Sequence, residues 1–262
     1  MASNGKLEAR ITVPTGGWDV ALTDDGAGPT AVTIPAGTYY HSSAGSEAED
    51  FAATFATVAN AAMTETWTCT VAAGEAGTGK YTIGCSGSTC TVTFTDADVG
   101  TLMGYTGNLS ASTSYTSTGQ AKALWLPEYP FQALNGGPSW IGWWETDQIA
   151  TENSNGNSFG LIGRKKRINS VTWPVASRAK CWAVNEATVN ESFETFLVNC
   201  IWAGESWGRS LGPVRFYGDA ADDATHGTYA AHGLANWRPA QIREHWTGAW
   251  VISLPRLVQV PS

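Results

Sequence analysis

The chain has 262 residues, and its 15 Lys and Arg against 23 Asp and Glu give a formal net charge of −8. That charge argues against nucleic acid as the main partner, and no apolar run approaches the roughly 20 residues that span a bilayer. The segment Met1–Lys6 has no hydrophobic stretch, so we expect no signal peptide and synthesis in a cytoplasm. The hydrophobic content of 43% is typical of a globular chain, which would form one large or two small domains.

Charge and tryptophan are divided unevenly along the chain. Residues 1–124 contain 4 Lys and Arg against 11 Asp and Glu, with two of the thirteen tryptophans, whereas residues 125–262 contain 11 against 12 and the other eleven tryptophans. This division predicts an acidic N-terminal α+β domain over residues 1–120 and a Trp-rich domain over residues 121–262. The Ser/Thr-rich run Ser110–Gln120 is interpreted as the linker or a long loop.

The first domain is predicted to be an antiparallel sheet that carries one helix. The helix spans Ser46–Glu65, because Ser46 and Glu49 form a capping box and apolar residues recur at helical spacing from Phe51 to Met63. A Gly/Asp turn region separates the first two strands, and the later strands form a meander before a short helical piece. The predicted strands and short helix are Arg10–Val13, Thr30–Ser43, Trp67–Ala72, Lys80–Gly84, Thr89–Thr95 and Ala97–Met103.

The second domain is predicted to be a β-sandwich or a strongly curved antiparallel sheet with one helix over residues 189–203. Thr188 and Glu191 form its capping box, and Gly204 is its expected stop. Two of the strands are expected to form a hairpin, Arg167–Val175 with Arg178–Val184, and Pro255 suggests that the last strand lies at an edge. The other predicted strands are Ala123–Pro127, Ser139–Asp147, Gly156–Gly163, Val214–Tyr217, Thr228–Leu234 and Trp246–Leu254.

Five cysteines are an odd number and show no CxxC pairing. Cys85 and Cys90 could face each other across a tight hairpin, but the pattern favours reduced thiols in β-structure.

Gly204–Gly208 matches the G-x-S-x-G nucleophile elbow of serine hydrolases, with Ser206 as the nucleophile. Acids and histidines follow in the hydrolase order: Asp219, Asp222, Asp223, His226, His232 and His245. The elbow needs a strand before the serine and a helix after it, whereas a helix is predicted before it and Gly212-Pro213 would break a helix after it. We therefore interpret the segment as a Gly/Ser loop and expect no enzymatic activity, with a hydrolase as the lesser alternative.

Two further motifs are weaker. Gly74–Lys80 resembles a phosphate-binding P-loop, but Tyr81 stands where Ser or Thr is needed, and a strand follows instead of a helix, so a hairpin turn is favoured. The acidic and histidine residues after Asp219 lack the spacing of calcium or zinc sites. We expect no cofactor and no metal.

Two features suggest a contact with another subunit. The basic run Arg164–Arg167 is either a solvated turn or a contact with an acidic surface, which the N-terminal domain of another copy could supply. Trp140 and Trp144 share one face of a predicted strand and Trp143 lies on the other, so both faces are apolar. Such a strand is sandwiched within the chain or covered by a neighbour, and exposed aromatics of this kind also form sugar-stacking platforms.

The chain resembles structural proteins of tailed-bacteriophage virions. The N-terminal half resembles a module common in such virions through Ala36–Tyr40, the helix over Phe51–Met63, the hairpin at Lys80–Ile83 and the run Leu102–Gly107. The C-terminal half is similar to tail-tube and distal-tail proteins through paired strands, a helix at Phe193–Trp202 and the run Gly212–Tyr217.

This resemblance implies a tail-tube-like fold and a non-enzymatic component of the virion tail, in the tube, tip or baseplate. It implies a homo-oligomeric ring of three or six copies that contacts other tail proteins, with no membrane and no specific nucleic acid as partners. The interface candidates are Arg164, Lys165, Lys166, Arg167, Trp140, Trp143 and Trp144. A glycan-binding receptor module of the virion is the alternative function.

Overall fold

The computed structural model describes residues 6–25, 28–41, 50–72, 78–87, 89–126, 140–152, 158–176, 181, 192–196, 214–217, 227–230, 241–244 and 250–259. These residues form mostly strands and few helices, as a β-rich α+β fold requires. The helices are α1 (Phe51–Ala62), α2 (Ala97–Leu102) and α3 (Phe193–Phe196). The strands up to residue 126 are β1 (Lys6–Ala9), β2 (Ile11–Val13), β3 (Trp18–Thr23), β4 (Thr30–Ile34), β5 (Gly37–Tyr39), β6 (Trp67–Val71), β7 (Tyr81–Cys85), β8 (Cys90–Phe94), β9 (Leu109–Ser112), β10 (Ser114–Thr116) and β11 (Leu124–Trp125). The later strands are β12 (Trp140–Glu152), β13 (Ser158–Ala176), β14 (Val214–Tyr217), β15 (Gly227–Ala230), β16 (Gln241–Glu244) and β17 (Trp250–Gln259).

These strands form several antiparallel sheets. Three small sheets have the orders β4-β3-β8-β9, β10-β7-β6 and β2-β5, and a larger one has the order β11-β1-β14-β15-β17-β13-β12, with β16 also paired to β17. The N-terminal residues therefore form three small sheets where one layer was predicted. The prediction of a β-rich fold with antiparallel sheets is confirmed at this level.

The region predicted as a Gly/Asp turn after Val13 contains a full strand, β3. The turn itself is short, because the Gly17 N–H donates to the Pro14 carbonyl over 2.9 Å. Gly17 has a φ of +82°, and a Cβ there would lie 2.5 Å from the Ile34 carbonyl oxygen, so the turn requires glycine. Trp18 then begins an alternation of inward and outward residues that forms the centre of a four-stranded sheet.

Helix α1 begins at Phe51, five residues after the predicted start at Ser46. Its N-cap is Asp50, whose carboxylate accepts a hydrogen bond from the Ala53 N–H over 2.9 Å. The predicted capping pair Ser46 and Glu49 lies outside the described residues. The apolar stripe is confirmed, since the buried residues Phe51, Ala52, Phe55 and Ala59 join the core of the small sheets.

The interpretation of Ser110–Gln120 as a linker is wrong. Strand β9 pairs with β8, and strand β10 pairs with β7, so the run completes the edges of two sheets. Ser117 and Gln120 are buried, and the Gln120 side-chain amide donates to the Leu124 carbonyl over 2.7 Å. Ser and Thr suit such edge strands as well as they suit loops, because β-branched and small polar residues fit a half-exposed pleated surface.

The first strand belongs to the largest sheet. Strand β1 pairs with β11 on one side and with β14 on the other, so Leu7 lies opposite both Trp125 and Phe216. A segment from the start of the chain thus completes a sheet built mainly from residues after 120. The division into domains at residues 120 and 121 remains a prediction.

Two strand predictions in the second half are corrected. Strand β13 runs continuously through the two predicted strands Gly156–Gly163 and Arg167–Val175 and pairs with β12 and β17. The predicted partner strand Arg178–Val184 lies outside the described residues except Cys181, which is helical. The last strand, β17, is central and not an edge, since it lies between β15 and β13. Pro255 is accommodated there because the register shifts between the Asn169 and Val171 pairings, and a bulge needs no ladder donor.

Helix α3 begins at Phe193, later than the predicted start at residue 189. Ser192 is not helical, and its hydroxyl accepts a hydrogen bond from the Thr195 N–H over 3.1 Å, as an N-cap residue does. The predicted capping pair Thr188 and Glu191 and the helix end near Gly204 lie outside the described residues. Phe193 and Phe196 are both buried in the core.

The preference for reduced thiols is wrong for one pair. Cys85 at the end of β7 forms a disulfide with Cys90 at the start of β8, across a separation of five residues. The bond joins the three-stranded sheet to the four-stranded sheet, which are otherwise connected here by a short turn. Among the described residues, Cys69 and Cys181 are buried and are not in a disulfide.

Candidate functional site

The two predicted interface segments are brought together in one antiparallel ladder. Trp140, Trp143 and Trp144 lie in β12, and the basic run Arg164–Arg167 lies in β13. Across the ladder Trp144 lies directly opposite Arg167, and Lys165 lies opposite Thr146. The basic run is therefore part of a strand and not a turn between two strands.

Acidic residues of β12 face part of the basic run. Glu145 lies directly opposite Lys166, and a register shift between Thr146 and Gln148 leaves Gly163 and Arg164 opposite the single residue Asp147. Such a two-to-one arrangement is a β-bulge, which bends and twists the strand that carries it. Glu145 and Lys166 are the pair in directly facing positions, where opposite charges favour strand pairing by roughly 0.2–1 kcal/mol.

The β12–β13 ladder extends beyond its neighbours. Strand β17 pairs with β13 from Ile168 to Ala176, and no described strand lies on that side of β13 between Ser158 and Arg167. Among the described strands β12 is the last in the sheet, so its outer edge has no described partner. Residues 144–152 and 158–167 thus form a two-stranded ribbon about 30 Å long. We call it the edge ribbon.

A second candidate is a cleft of about 470 Å³ between α2, the loop that follows it and the segment before β11. Phe94 forms part of its wall and stacks on Tyr105, with ring centroids 5.5 Å apart and an interplanar angle of 27°. The exposed polar side chains of Thr101, Thr106 and Asn108 surround the opening. No prediction from the sequence pointed to this cleft, because it is assembled from three separate segments.

A third candidate is a buried polar cluster around His41. The ring Nδ1 lies 2.7 Å from the Tyr81 hydroxyl, and Nε2 contacts the Lys122 carbonyl. Since a carbonyl only accepts, Nε2 carries the proton, and Nδ1 accepts from the Tyr81 O–H. The Tyr81 carbonyl accepts in turn from the Ser117 N–H over 2.8 Å. These bonds tie the segment after β5, strand β7 and the segment before β11 together, so we regard the cluster as structural.

Burial also raises the pKa of three groups near this cluster. Burial is the main cause of the raised pKa of Tyr81, and the charges of Cys69, Asp50 and Glu8 add to it. The pKa of Cys69 is raised by burial and then by the Asp50 charge. The pKa of Tyr105 is raised by burial and by Cys69, against a lowering hydrogen bond to the backbone at Ile83. All three groups are therefore neutral at physiological pH.

Of the remaining sequence motifs, the structure describes part of the P-loop-like run and none of the serine hydrolase motif. The P-loop-like run leads into the β6–β7 hairpin, where Gly79 N–H donates to the Ala72 carbonyl over 2.8 Å, and strand β7 follows it, as predicted. Ser206 and the acids and histidines from Asp219 to His245 lie outside the described residues. Within the described part of the chain no group of three or more His, Cys, Asp or Glu could hold a metal ion.

The tryptophans of the first half are core residues. Trp18, Trp67 and Trp125 are each 3% exposed or less, so none of these three can serve as a sugar-stacking platform.

No helix in the described ranges is long and apolar enough to cross a membrane. No family model, no curated protein and no solved structure matches this chain.

Proposed function

We propose that this chain is a structural component of a tailed-phage virion, and specifically a ring-forming protein of the tail tube, tail tip or baseplate. In this proposal it has no catalytic role, is made in the host cytoplasm and contacts further copies of itself and other tail proteins. Its C-terminal strands would form the sandwich or curved sheet of a tail-tube-like protein. The resemblance of both halves to virion proteins motivates the proposal.

The observation that supports it best is the edge ribbon. A two-stranded ribbon is at most marginally stable alone in water, and an uncovered strand edge invites pairing with another chain. Strand β12 has 13 residues, more than twice the usual five or six. A neighbouring copy would supply the missing cover, with Trp140, Trp143 and Trp144 as the apolar part of the contact.

The charges of β12 favour a ring over a two-fold dimer. A two-fold pairing that used the whole of β12 would be centred on Thr146 and would place Glu145 opposite Asp147. Like charges in facing positions destabilise such a pairing. A head-to-tail contact between different surfaces avoids this repulsion, and its repetition forms a ring when the rotation between copies closes. Three or six copies are the expected numbers.

The shape and mass of the purified full chain test this proposal. We expect electron microscopy to show closed rings and sedimentation to give a mass of three or six chains. A chain that stays monomeric at every concentration would contradict it. Labelling of Ser206 by a fluorophosphonate would instead support the hydrolase alternative.

A further inference from the structure

The cleft beside α2 has the size and walls of a ligand site. Its volume of about 470 Å³ lies within the 300–1,000 Å³ usual for small-molecule sites. Glycines keep it open: a Cβ on Gly100 would lie 2.9 Å from the Phe94 ring, and Gly104 has a φ of +80° with a Cβ position 2.5 Å from the Gly119 carbonyl oxygen. The cleft therefore depends on residues whose side chains would fill it or strain the loop.

The walls are polar yet almost free of charge. Of the thirteen residues that line the cleft, Lys122 alone carries a charge, and none is acidic. This is unusual in a half of the chain with 11 acidic residues against 4 basic ones. The other polar side chains are those of Thr101, Thr106, Thr118 and Asn108, together with Tyr105 and Gln120, whose donors bond to the backbone carbonyls of Tyr115 and Leu124. Such a lining suits a ligand that has many hydroxyl groups and a negative charge, because the charged residue of the lining is a lysine.

The fold fixes the direction of the Asn108 amide. Its Oδ1 accepts a hydrogen bond from the Phe94 N–H over 3.0 Å, which leaves the two N–H donors of Nδ2 for other partners. The partly exposed Phe94 ring is held by its stacking on Tyr105. An aromatic face beside amide and hydroxyl donors is the pattern that binds a sugar ring, whose C–H groups pack on the aromatic surface while its hydroxyls form hydrogen bonds.

We propose that this cleft binds an acidic saccharide. One sugar ring packs on Phe94, its hydroxyls bond the Asn108 Nδ2 group and the hydroxyls of Thr101 and Thr106, and its carboxylate lies toward Lys122. The site belongs to residues 94–122 and is separate from the edge ribbon. Failure of this proposal therefore leaves the ring-forming function untouched, and the reverse also holds.

The test is calorimetric titration of the full chain, in its native assembly state, with trigalacturonate and with uncharged maltotriose. Concentrations up to about 10 mM are needed so that a dissociation constant of about 1 mM can be measured. We expect trigalacturonate to bind more tightly than maltotriose. Lys122→Gln should reduce that preference by about fivefold, as expected for a partly exposed ion pair.

Two variants separate binding from folding. Gly107→Leu fills the cleft without a clash, since a Cβ there meets nothing within 4 Å, and it should abolish binding. Asn108→Asp keeps the acceptor for the Phe94 N–H, removes both donors and adds a repelling charge, so it should weaken trigalacturonate binding by at least about tenfold. Thr38→Leu, at an exposed position of β5, is the matched control and should bind as the wild type does. No binding of trigalacturonate, equal affinity for both trisaccharides, or binding unchanged by Gly107→Leu and Asn108→Asp overturns the proposal.

Discussion

Glu145 in β12 lies directly opposite Lys166 in β13. This pairing divides the basic run into two classes of residue. Lys166 faces an acid of the same chain, and Arg164 lies in the bulge opposite Asp147, whereas Lys165 and Arg167 face the neutral residues Thr146 and Trp144. In the proposed ring, the two residues opposite neutral positions, Lys165 and Arg167, are the ones whose charges we expect to act on a neighbouring subunit.

Charge reversal at these two positions should weaken assembly. We expect Lys165→Glu combined with Arg167→Glu to lower the ring fraction, most strongly at low salt, because charges at an interface rim steer association more than they hold a fold. Reversal of all of Arg164–Arg167 should have a larger effect. Sedimentation in low and high salt measures the ring fraction, and circular dichroism checks that each chain is folded.

The matched control is Lys166→Glu, which places like charges opposite each other at Glu145. It should destabilise the ribbon itself by roughly 0.2–1 kcal/mol. If the wild type and all of these variants assemble equally at every salt concentration, the basic run has no role at a subunit boundary.

The packing of Phe196 gives the second prediction. Phe196 is 1% exposed, and its neighbour Phe193 packs edge-on against Trp125 with ring centroids 5.0 Å apart. Phe196→Ala should cost about 3–5 kcal/mol and lower the melting temperature by roughly 6–20 °C. Glu194→Gln, in the same short helix but only half-buried, is the control. A melting temperature equal to that of the wild type would show that this helix does not contribute to the core.

Local patterns predicted the elements whose signal lies within a few residues. The alternation in β6, β7 and β8 and the apolar spacing in α1 each placed an element close to its observed bounds. The incorrect predictions of structural elements have a common physical cause. Ser110–Gln120 has the composition of a loop, yet it forms edge strands because Cys90 and Thr82 offer partners that are distant in sequence.

The candidate sites depend even more on distant pairing. Trp144 and Arg167 were each predicted to contact a neighbour, but their direct opposition follows from a ladder register that residue spacing does not encode. The cleft was not predicted from the sequence for the same reason, since its residues Phe94, Asn108 and Lys122 come from three segments. The sequence suggested that Cys85 and Cys90 could face each other, but whether they form a disulfide depends on the geometry of the turn between them.

The disulfide gives the third prediction. The oxidised chain should show two fewer free thiols than the reduced chain when both are titrated in denaturant. Closure of so short a loop, with a separation of five residues, should stabilise the fold by about 2 kcal/mol. Cys85→Ser combined with Cys90→Ser should therefore lower the denaturant midpoint, whereas Cys69→Ala leaves the disulfide intact. Equal thiol counts with and without reductant would rule out the bond.

Ser206 gives the fourth prediction. Because its G-x-S-x-G run is expected to be a Gly/Ser loop, Ser206→Ala should leave virion assembly and infectivity unchanged. The chain should also fail to react with a fluorophosphonate probe. Covalent labelling that the alanine variant abolishes would show that the serine is an activated nucleophile and would contradict the structural function.

The last prediction concerns alkaline pH. Burial raises the pKa of Tyr81, Tyr105 and Cys69 above their ordinary values. The folded chain therefore holds protons that the unfolded chain releases once the pH exceeds about 9–10. The free energy of unfolding should keep its full value below that pH. It should fall as the pH rises further, by up to about 1.4 kcal/mol per pH unit for each group. Melting temperatures measured from neutral to strongly alkaline pH should follow this curve.

Tyr81→Phe separates the tyrosine effect from general alkaline damage. The variant removes the hydroxyl that donates to the His41 Nδ1, and the loss of this hydrogen bond should cost about 0.5–1.5 kcal/mol at neutral pH. Its stability should then depend less steeply on pH above 10, because one of the three proton-holding groups is gone. Tyrosinate absorbance provides a direct check: Tyr81 and Tyr105 should ionise only when the chain unfolds. If all eight tyrosines titrate near their ordinary pKa while the chain stays folded, neither hydroxyl is buried as described.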